Sequence, residues 1–562
     1  MGTLLSVVSA PASARATIYY ASPDGTGDGT SEDSPASVST ALNAAEPGDT
    51  VYLRGGTYSS WSQGIHPVRS GTADAWITFE AYPGELPFFE GTGVGSGTYE
   101  YIRYVGLISR GSSGGFGNGW TDGDCNTMSN GNLEYINCIA DGNDINGIAH
   151  YCASGVHIKQ SIVAHNGAQD PSWSSGVNLF AVKGDSASNV VEQTVSFENV
   201  DISTHHSDGS GFITDQNSTG ATFINNIGFR NGGSCIRITN STNVHMINNT
   251  CVTNGQDPDA LYHDEIFFSD TSTTHQGALL RNNLCIPTSG QSGLTMGNGV
   301  EADSNVFDGA SSLVLSTVDD LDYHLQADAS SVIDQGSPTD APTEDIGFDW
   351  RCIKQQSGQA VSWWQYAVDY DYIATIGGVA ACFAPGVRQG TPDIGAYEFG
   401  AVTGTGGSAG TGGAGDTGGT TTTGGTVDTG GATPTGGGAA TGGMVVTGGV
   451  TTTGGVAVTG GVMTTGGTTT IGGSGPATGG TSGTAGTGGG GPAGGAPTSG
   501  GTSATGGNPG TGVPTPSEEE ASGCACSTVG TGSSTHLGSL LGALLGLVAL
   551  RRRRTRQGGW HA

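Results

Sequence analysis

Asparagine recurs along this chain at intervals that only a stacked fold can use. The segments Ile224-Asn225-Asn226, Ile247-Asn248-Asn249, Arg281-Asn282-Asn283 and Asp303-Ser304-Asn305 follow one another at 23, 34 and 22 residues, each beside a short apolar run of β-forming residues. One coil of a parallel β-helix takes roughly 20 to 30 residues, and stacking sets like residues over like, so buried asparagines can hydrogen-bond along the axis. The register extends upstream when another polar residue stands at the corner: Asn137, Ser161, Thr194, Asn226, Asn249, Asn283, Asn305, which makes at least seven coils. Short strands are expected at 50–53, 76–81, 101–108, 177–182, 211–214, 234–239 and 265–268, separated by Gly, Asn, Asp and Ser turns. Helical periodicity is confined to a stretch near 38–45, which would cap the open edge of the first coil. The pattern predicts an all-β chain, a single right-handed parallel β-helix over 17–400.

Composition divides the rest. Residues 401–516 are Thr-Gly-Gly repeats almost without charge, which cannot bury a core and read as a disordered, flexible stalk. Residues 1–16 carry the apolar run Leu4 to Val8, then Ala12-Ser13-Ala14 and Ala14-Arg15-Ala16, which suit signal-peptidase cleavage although no basic leader precedes them. The chain is therefore expected to be exported. Residues 517–562 run from Glu518-Glu519-Glu520 through Cys524-Ala525-Cys526 and an apolar stretch, Leu537 to Leu550, to Arg551 through Arg554 and Arg556. An apolar stretch of 14 residues falls short of the roughly 20 that a span requires, and the arginines would hold its end on the cytoplasmic side. It reads as a transient membrane stop that is later processed, with a tail-anchored helix as the alternative.

Of ten cysteines, eight lie in 17–400, an even set that permits disulfides in an exported chain; buried free thiols are the other reading, and without a Cys-x-x-Cys pair among them zinc has little support. Acidic residues number 49 against 18 basic ones, a balance that repels nucleic acid and makes calcium the natural cation, unless the charge serves solubility alone.

Several stretches resemble known families. Cys524-Ala525-Cys526, the apolar run and the arginines are similar in order and position to the C-terminal sorting tails of myxobacterial surface proteins, which implies recognition by sorting machinery and retention at the cell surface. Tyr19 to Gly25 with Pro47 to Tyr58 resembles the start of secreted right-handed β-helix proteins, including family-nine pectate lyases, while Asp322-Tyr323-His324-Leu325 and Asp393 to Glu398 resemble the close of many bacterial β-helix domains. Val177 to Lys183, His206 to Phe212, and Phe229 to Gly232 followed by Cys235-Ile236-Arg237 resemble the family-nine coils that carry calcium-binding aspartates and a catalytic lysine. The match departs from the family at those positions: Asn178 stands for the first aspartate, Gly209 for the second residue of the acidic pair, and Arg237 for the lysine.

Asn178, Asp208, Asp215 and Asp201 are accordingly the expected oxygen ligands of a calcium ion, bound more weakly than in the family because the set carries fewer charges. Aligning the ladder stacks His150, Lys183, Thr214 and Arg237 at one strand position. Alternation in Cys235 to Thr239 turns Ile236 and Ile238 inward and Arg237 outward. Arginine is protonated at any ordinary pH, so it suits a clamp on a carboxylate better than a base; Lys183 or His150 would then take the proton. Solvated outward residues on a scaffold are the plainer reading of that row. His205, His206 and Asp208, and His263-Asp264-Glu265, are metal candidates or incidental loop residues, and Trp120 and Trp173 either stack on sugar rings or pack against the solenoid. The expectation is a monomeric lyase of an acidic polysaccharide, with a surface glycan-binding or adhesion protein, or a glycoside hydrolase, as alternatives.

Overall fold

The computed structural model describes residues 16–117, 130–269, 274–315 and 321–403, together with short strands between 421 and 472. Among these residues, three parallel sheets of 11, 9 and 8 strands stack into a β-helix. Each full coil gives one strand to each sheet in turn, as in Ile102–Val105, Ile108–Arg110 and Phe116–Gly117. The run expected as one strand over 101–108 is thus two, because Gly106 takes a left-handed turn at φ 70° between the first and second sheets. Inside, alternate residues stack coil on coil: the Phe79, Tyr104 and Tyr135 rings lie 5.9 and 5.0 Å apart. The helix Val38–Ala44 closes the first coil, its N-terminus capped by Ser37 Oγ, which accepts from Thr40 N at 3.2 Å, with Val38, Ala41 and Leu42 buried.

The asparagine row is where the repeat puts it, inside the corner between the first and second sheets. Asn226 Nδ2 donates to Asn249 Oδ1 at 3.1 Å, Asn249 to Asn283 at 2.9 Å and Asn283 to Asn305 at 2.9 Å. Upstream, Thr194 and Ser161 continue the row, but its next place belongs to Cys138, whose N–H donates to Ser161 Oγ. Asn137 instead joins the neighbouring corner row of Gln160, Gln193, Asn225, Asn248, Asn282 and Ser304, all left-handed, with φ from 48 to 57°. A single left-handed residue makes the bend, and the next residue then points inward. A second buried ladder runs parallel to the first at the next corner: Asn143, Asn166, Asn199, Asn231 and Asn254 are linked Nδ2 to Oδ1 at 2.8–2.9 Å, and the row ends where Asn254 donates to Glu265.

Beyond Gly309, whose N–H still bonds the Cys285 carbonyl, the chain leaves the coil and folds back. Tyr323, Leu325, Phe348, Trp350, Tyr366 and Tyr397 form a second core against Ile139, Ile162, Val195, Phe197 and Phe229, on the outer face of the second sheet. The contact is fastened by polar groups: Glu198, fully buried, accepts from Arg230 Nε at 3.1 Å and Gln365 N at 2.7 Å. His165 pairs with Asp141 at 2.7 Å and meets the Tyr366 carbonyl at 2.9 Å. Burial lowers the pKa of His165, but Asp141 and Glu198 outweigh it and push the imidazole up to about 9. The residues that resemble a β-helix close therefore cover a sheet rather than add coils, and they leave the first and third sheets to face outward.

Both cysteine readings hold. Cys235–Cys251 and Cys352–Cys382 are disulfides, as is the bond made by Cys152, while Cys138 and Cys285 are buried thiols. In the Thr/Gly segment, Thr421–Thr423, Gly438–Thr441 and Val456–Thr459 pair in parallel where composition predicts coil. The readings of residues 1–16 as a signal, all but its last residue, and of 517–562 as a tail, with Trp120 and Cys125, lie outside the described residues.

Candidate functional site on the third sheet

Pairing on the third sheet sets Gly95, Gly117, Ala149, Asn178, Ile213, Arg237 and Phe267 in one row, each a strand apart. Their neighbours Val94, Phe116, Ile148, Val177, Phe212 and Ile236 are buried in the core, so this row faces outward. Its first three members have little or no side chain. At Gly117, with φ 152°, a Cβ would stand 2.0 Å from the Ala149 carbonyl oxygen, so the floor stays bare there. The result is a cleft of about 410 Å³ over the early coils, with His66, Ser113, Ile145, Asn146 and Tyr151 around it. Tyr151 carries the surface onward: its ring lies 5.6 Å from Phe180, and Phe180 pairs in register with Asp215.

At the far end of the row Arg237 is held on several sides. Its Nη1 donates to Asp208 Oδ1 at 2.8 Å and to the Ser207 carbonyl, and its guanidinium lies 5.0 Å from the centre of the Tyr262 ring. Tyr262 in turn stacks on Phe267 at 4.0 Å. Arg237 Nε and Asn178 Oδ1 are buried without a hydrogen-bond partner, an arrangement that costs free energy and often marks a place for a ligand. Burial pushes the Asp208 carboxyl up to about 7, against the opposing pull of Arg237, and Asp215 and Asp201 push the same way. Asp215 is raised as well, chiefly by burial. An acid poised near neutrality beside a fixed cation is a common arrangement for moving a proton.

The expected row of His150, Lys183, Thr214 and Arg237 does not form. His150 pairs with Leu179, which pairs with Thr214, which pairs with Ile238, and all of these point inward. His150 is fully buried, 5.3 Å from the Tyr135 ring, and burial pulls its pKa down to about 3. Lys183 lies past the end of Val177–Phe180, with Nζ donating to the Asn217 carbonyl at 3.0 Å. Arg237 does face outward, as alternation requires, but it is covered by loops and only 7 % exposed.

The loops between the second and third sheets build a wall over this end. Trp173, 55 % exposed, stacks on His205 with ring centres 5.0 Å apart, so it offers an aromatic face to solvent. His206 turns the other way and pairs with Asp257 at 3.1 Å. His263 meets the Gly255 carbonyl, Asp264 accepts from Thr295 Oγ1, and Glu265 ends the second ladder, so three adjacent polar residues serve three separate places.

The oxygen set expected to hold calcium does not fit that ion, which takes about six to eight ligands. Asp201 Oδ1 accepts from Ser203 N, and its Oδ2 accepts from both Ser207 N and Asp208 N. These bonds shape the loop and leave little for a metal. Asp208 Oδ1 faces Arg237. Among the described residues, no three His, Cys, Asp or Glu side chains converge as a metal site would require.

No family model matches the chain. Over 74 residues it is 43% identical to the pectate lyase PEL9 of Emericella nidulans, a match covering 13% of this chain and only 18% of that relative. Solved structures similar to it include pectate lyase Pel9A, at 17% identity and a TM-score of 0.43, covering 68% of this chain and 97% of that one. An alginate lyase from Paenibacillus sp. str. FPU-7 is also similar, at 16% identity and a TM-score of 0.30, covering 51% of this chain and 98% of that one.

Proposed function

We propose that the chain is a polysaccharide lyase that cleaves an acidic, uronate-containing polysaccharide by β-elimination in the groove over the third sheet. The observation that carries this reading is the Arg237–Asp208 pair at 2.8 Å, beneath the loops at the far end of the row whose first members floor the cleft, with one guanidinium nitrogen unspent. Arg237 takes the uronate carboxylate on that unspent edge and stabilises the charge that develops when the adjoining carbon loses its proton. Asp208 accepts the proton. The C–H electron pair becomes the new C=C bond as the glycosidic C–O bond at the next carbon breaks, and the leaving oxygen takes a proton from water. Asp208 thus takes the role expected of Lys183 or His150, because its carboxyl, pushed up to about 7 by burial, is the better-tuned base. Trp173 offers a stacking face for a neighbouring sugar, and the 74-residue likeness to a pectate lyase supports the substrate class.

A second reading rests on Asp215: two carboxyls of raised pKa near one groove could serve a glycoside hydrolase. One assay separates these. The protein is incubated with a panel of uronate polysaccharides while ultraviolet absorbance of unsaturated ends and total reducing ends are both followed. Growth of absorbance is the expected result. Reducing ends without absorbance would mean hydrolysis, and chain retention without either would mean a glycan-binding surface protein.

We also propose that the protein is exported and retained at the cell surface, on the strength of the cysteine, apolar and arginine order in 517–562. Mass spectrometry of the mature protein from the cell surface should find Arg551 to Arg554 removed. Recovery of the intact C-terminus there would contradict processing of the tail.

A further inference from the structure

We infer that the Arg237 guanidinium supplies the positive charge that a divalent cation would otherwise bring to this acidic groove, so that the site works without a metal. The inference rests on the lyase reading for its chemistry but on geometry for its charge. Three observations carry it. Arg237 is pinned from two directions, with Nη1 on Asp208 Oδ1 at 2.8 Å and on the Ser207 carbonyl, and the guanidinium over Tyr262 at 5.0 Å, so it cannot easily swing away to admit an ion. Asp201, one of the two carboxylates whose charge Asp208 feels, spends both oxygens on three backbone N–H groups at 2.8–3.0 Å. Of the expected ligands that leaves Asp215, on the strand beside Arg237's, whose Oδ1 accepts from Gln216 N at 2.7 Å, and the neutral amide of Asn178 one strand further, whose Oδ1 is buried and without a partner.

A divalent ion reaching Asp208 would have to share that carboxylate with a guanidinium already in contact with it. Like charges at that separation, in a site where Arg237 and Asp208 are both buried, repel strongly. The same guanidinium suits the task an ion would perform, since a planar fork can take a substrate carboxylate while a second nitrogen stays on Asp208. Asn178 fits this arrangement: it is a strand pair away from Arg237 through Ile213, and its amide can donate to or accept from a sugar hydroxyl without adding negative charge.

The test is metal binding by the intact protein, measured without substrate. Isothermal calorimetry with calcium should show no saturable binding at millimolar concentration, and the thermal midpoint should be the same with calcium as with a chelator. Terbium, whose emission a tyrosine such as Tyr262 would sensitise, should show no emission that calcium quenches. Arg237→Gln should acquire a saturable calcium site of millimolar affinity or tighter, whereas Arg237→Lys, which keeps the charge, should not. Saturable calcium binding by the wild-type protein that Asp208→Asn removes would overturn the inference, and so would an Arg237→Gln protein that folds and still binds no calcium. If Arg237→Gln does not fold, the wild-type calorimetry and terbium measurements decide alone. A failure of the lyase assay leaves these binding results standing. Where the lyase assay succeeds, activity should survive chelation undiminished, and its loss would overturn the inference while the lyase reading stood.

Discussion

Replacing Arg237 with alanine is expected to lower turnover on the cleaved polysaccharide by about 10²- to 10³-fold, the usual loss when one preorganised donor to a developing anion is removed. Arg237→Lys should recover part of it, since the charge returns but the fork does not. The stability of the same variant should depend on pH. Asp208 has a folded pKa raised from 3.8 to about 7 by burial, against the pull of Arg237. A raised carboxyl favours the folded state fully only below its unfolded value, and that contribution fades as pH rises through about 7. At low pH the carboxyl is protonated with or without Arg237, so the alanine protein should lose little there. Above about 7 the wild-type carboxylate is ionised and paired, and deleting its partner should cost up to about 3–5 kcal/mol, less whatever the carboxyl recovers by staying protonated. Thermal midpoints compared at about pH 5 and about pH 9 test this, and an equal loss at both would show that the pair is not what holds Arg237 in place. If Asp208 is the base, wild-type kcat/KM should also climb with pH along a limb near 7.

The fold was legible because the signal was redundant. Stacked asparagines, apolar runs and turn residues all repeat together, and strand alternation placed Arg237 on the outer face from the residues Ile236 and Ile238 alone. The site was less legible for a geometric reason. The ladder marks the corner between the first and second sheets, whereas the third sheet follows loops of very unequal length: Asp141 to Ile148 and Phe229 to Ile236 are short, while Ala164 to Val177, Phe197 to Phe212 and Val252 to Ile266 are long. Counting from the ladder across such loops loses the two-residue parity, which is how His150 was set beside Arg237 although it points into the core. The second ladder was readable, since Asn143, Asn166, Asn199, Asn231 and Asn254 keep the same intervals, and it would have fixed the register one corner nearer the site. Tyr262 over Arg237, and Asp201 bound to three N–H groups, left no periodic trace, because loop residues meet through tertiary contact alone.

The largest expected effect on stability lies in the ladder itself, at Asn249. It is fully buried, and its Oδ1 accepts from Asn226 N at 3.0 Å and Asn226 Nδ2 at 3.1 Å. Its Nδ2 donates to the Phe223 carbonyl and to Asn283 Oδ1, both at 2.9 Å. Alanine would strand the Asn226 N–H and remove a donor from two acceptors in a fully buried site. Each unmet buried group costs about 1–3 kcal/mol, so the total loss should reach about 3–5 kcal/mol. Asn305 makes the same kinds of bonds, from Nδ2 to the Leu280 carbonyl at 2.9 Å and from Asn283 to its Oδ1, but it stands part-buried at the last coil. Water can replace those partners, so Asn305→Ala should cost about 1 kcal/mol or less. Asn249→Asp separates hydrogen bonding from size. The aspartate keeps the acceptor for Asn226 but turns an oxygen toward the Phe223 carbonyl and Asn283 Oδ1, so it should destabilise at least as much as alanine at neutral pH and recover on acidification, when the carboxyl can donate. Chemical denaturation of the three variants measures the order, and equal losses at Asn249 and Asn305 would mean that the ladder fills space without holding the coils together.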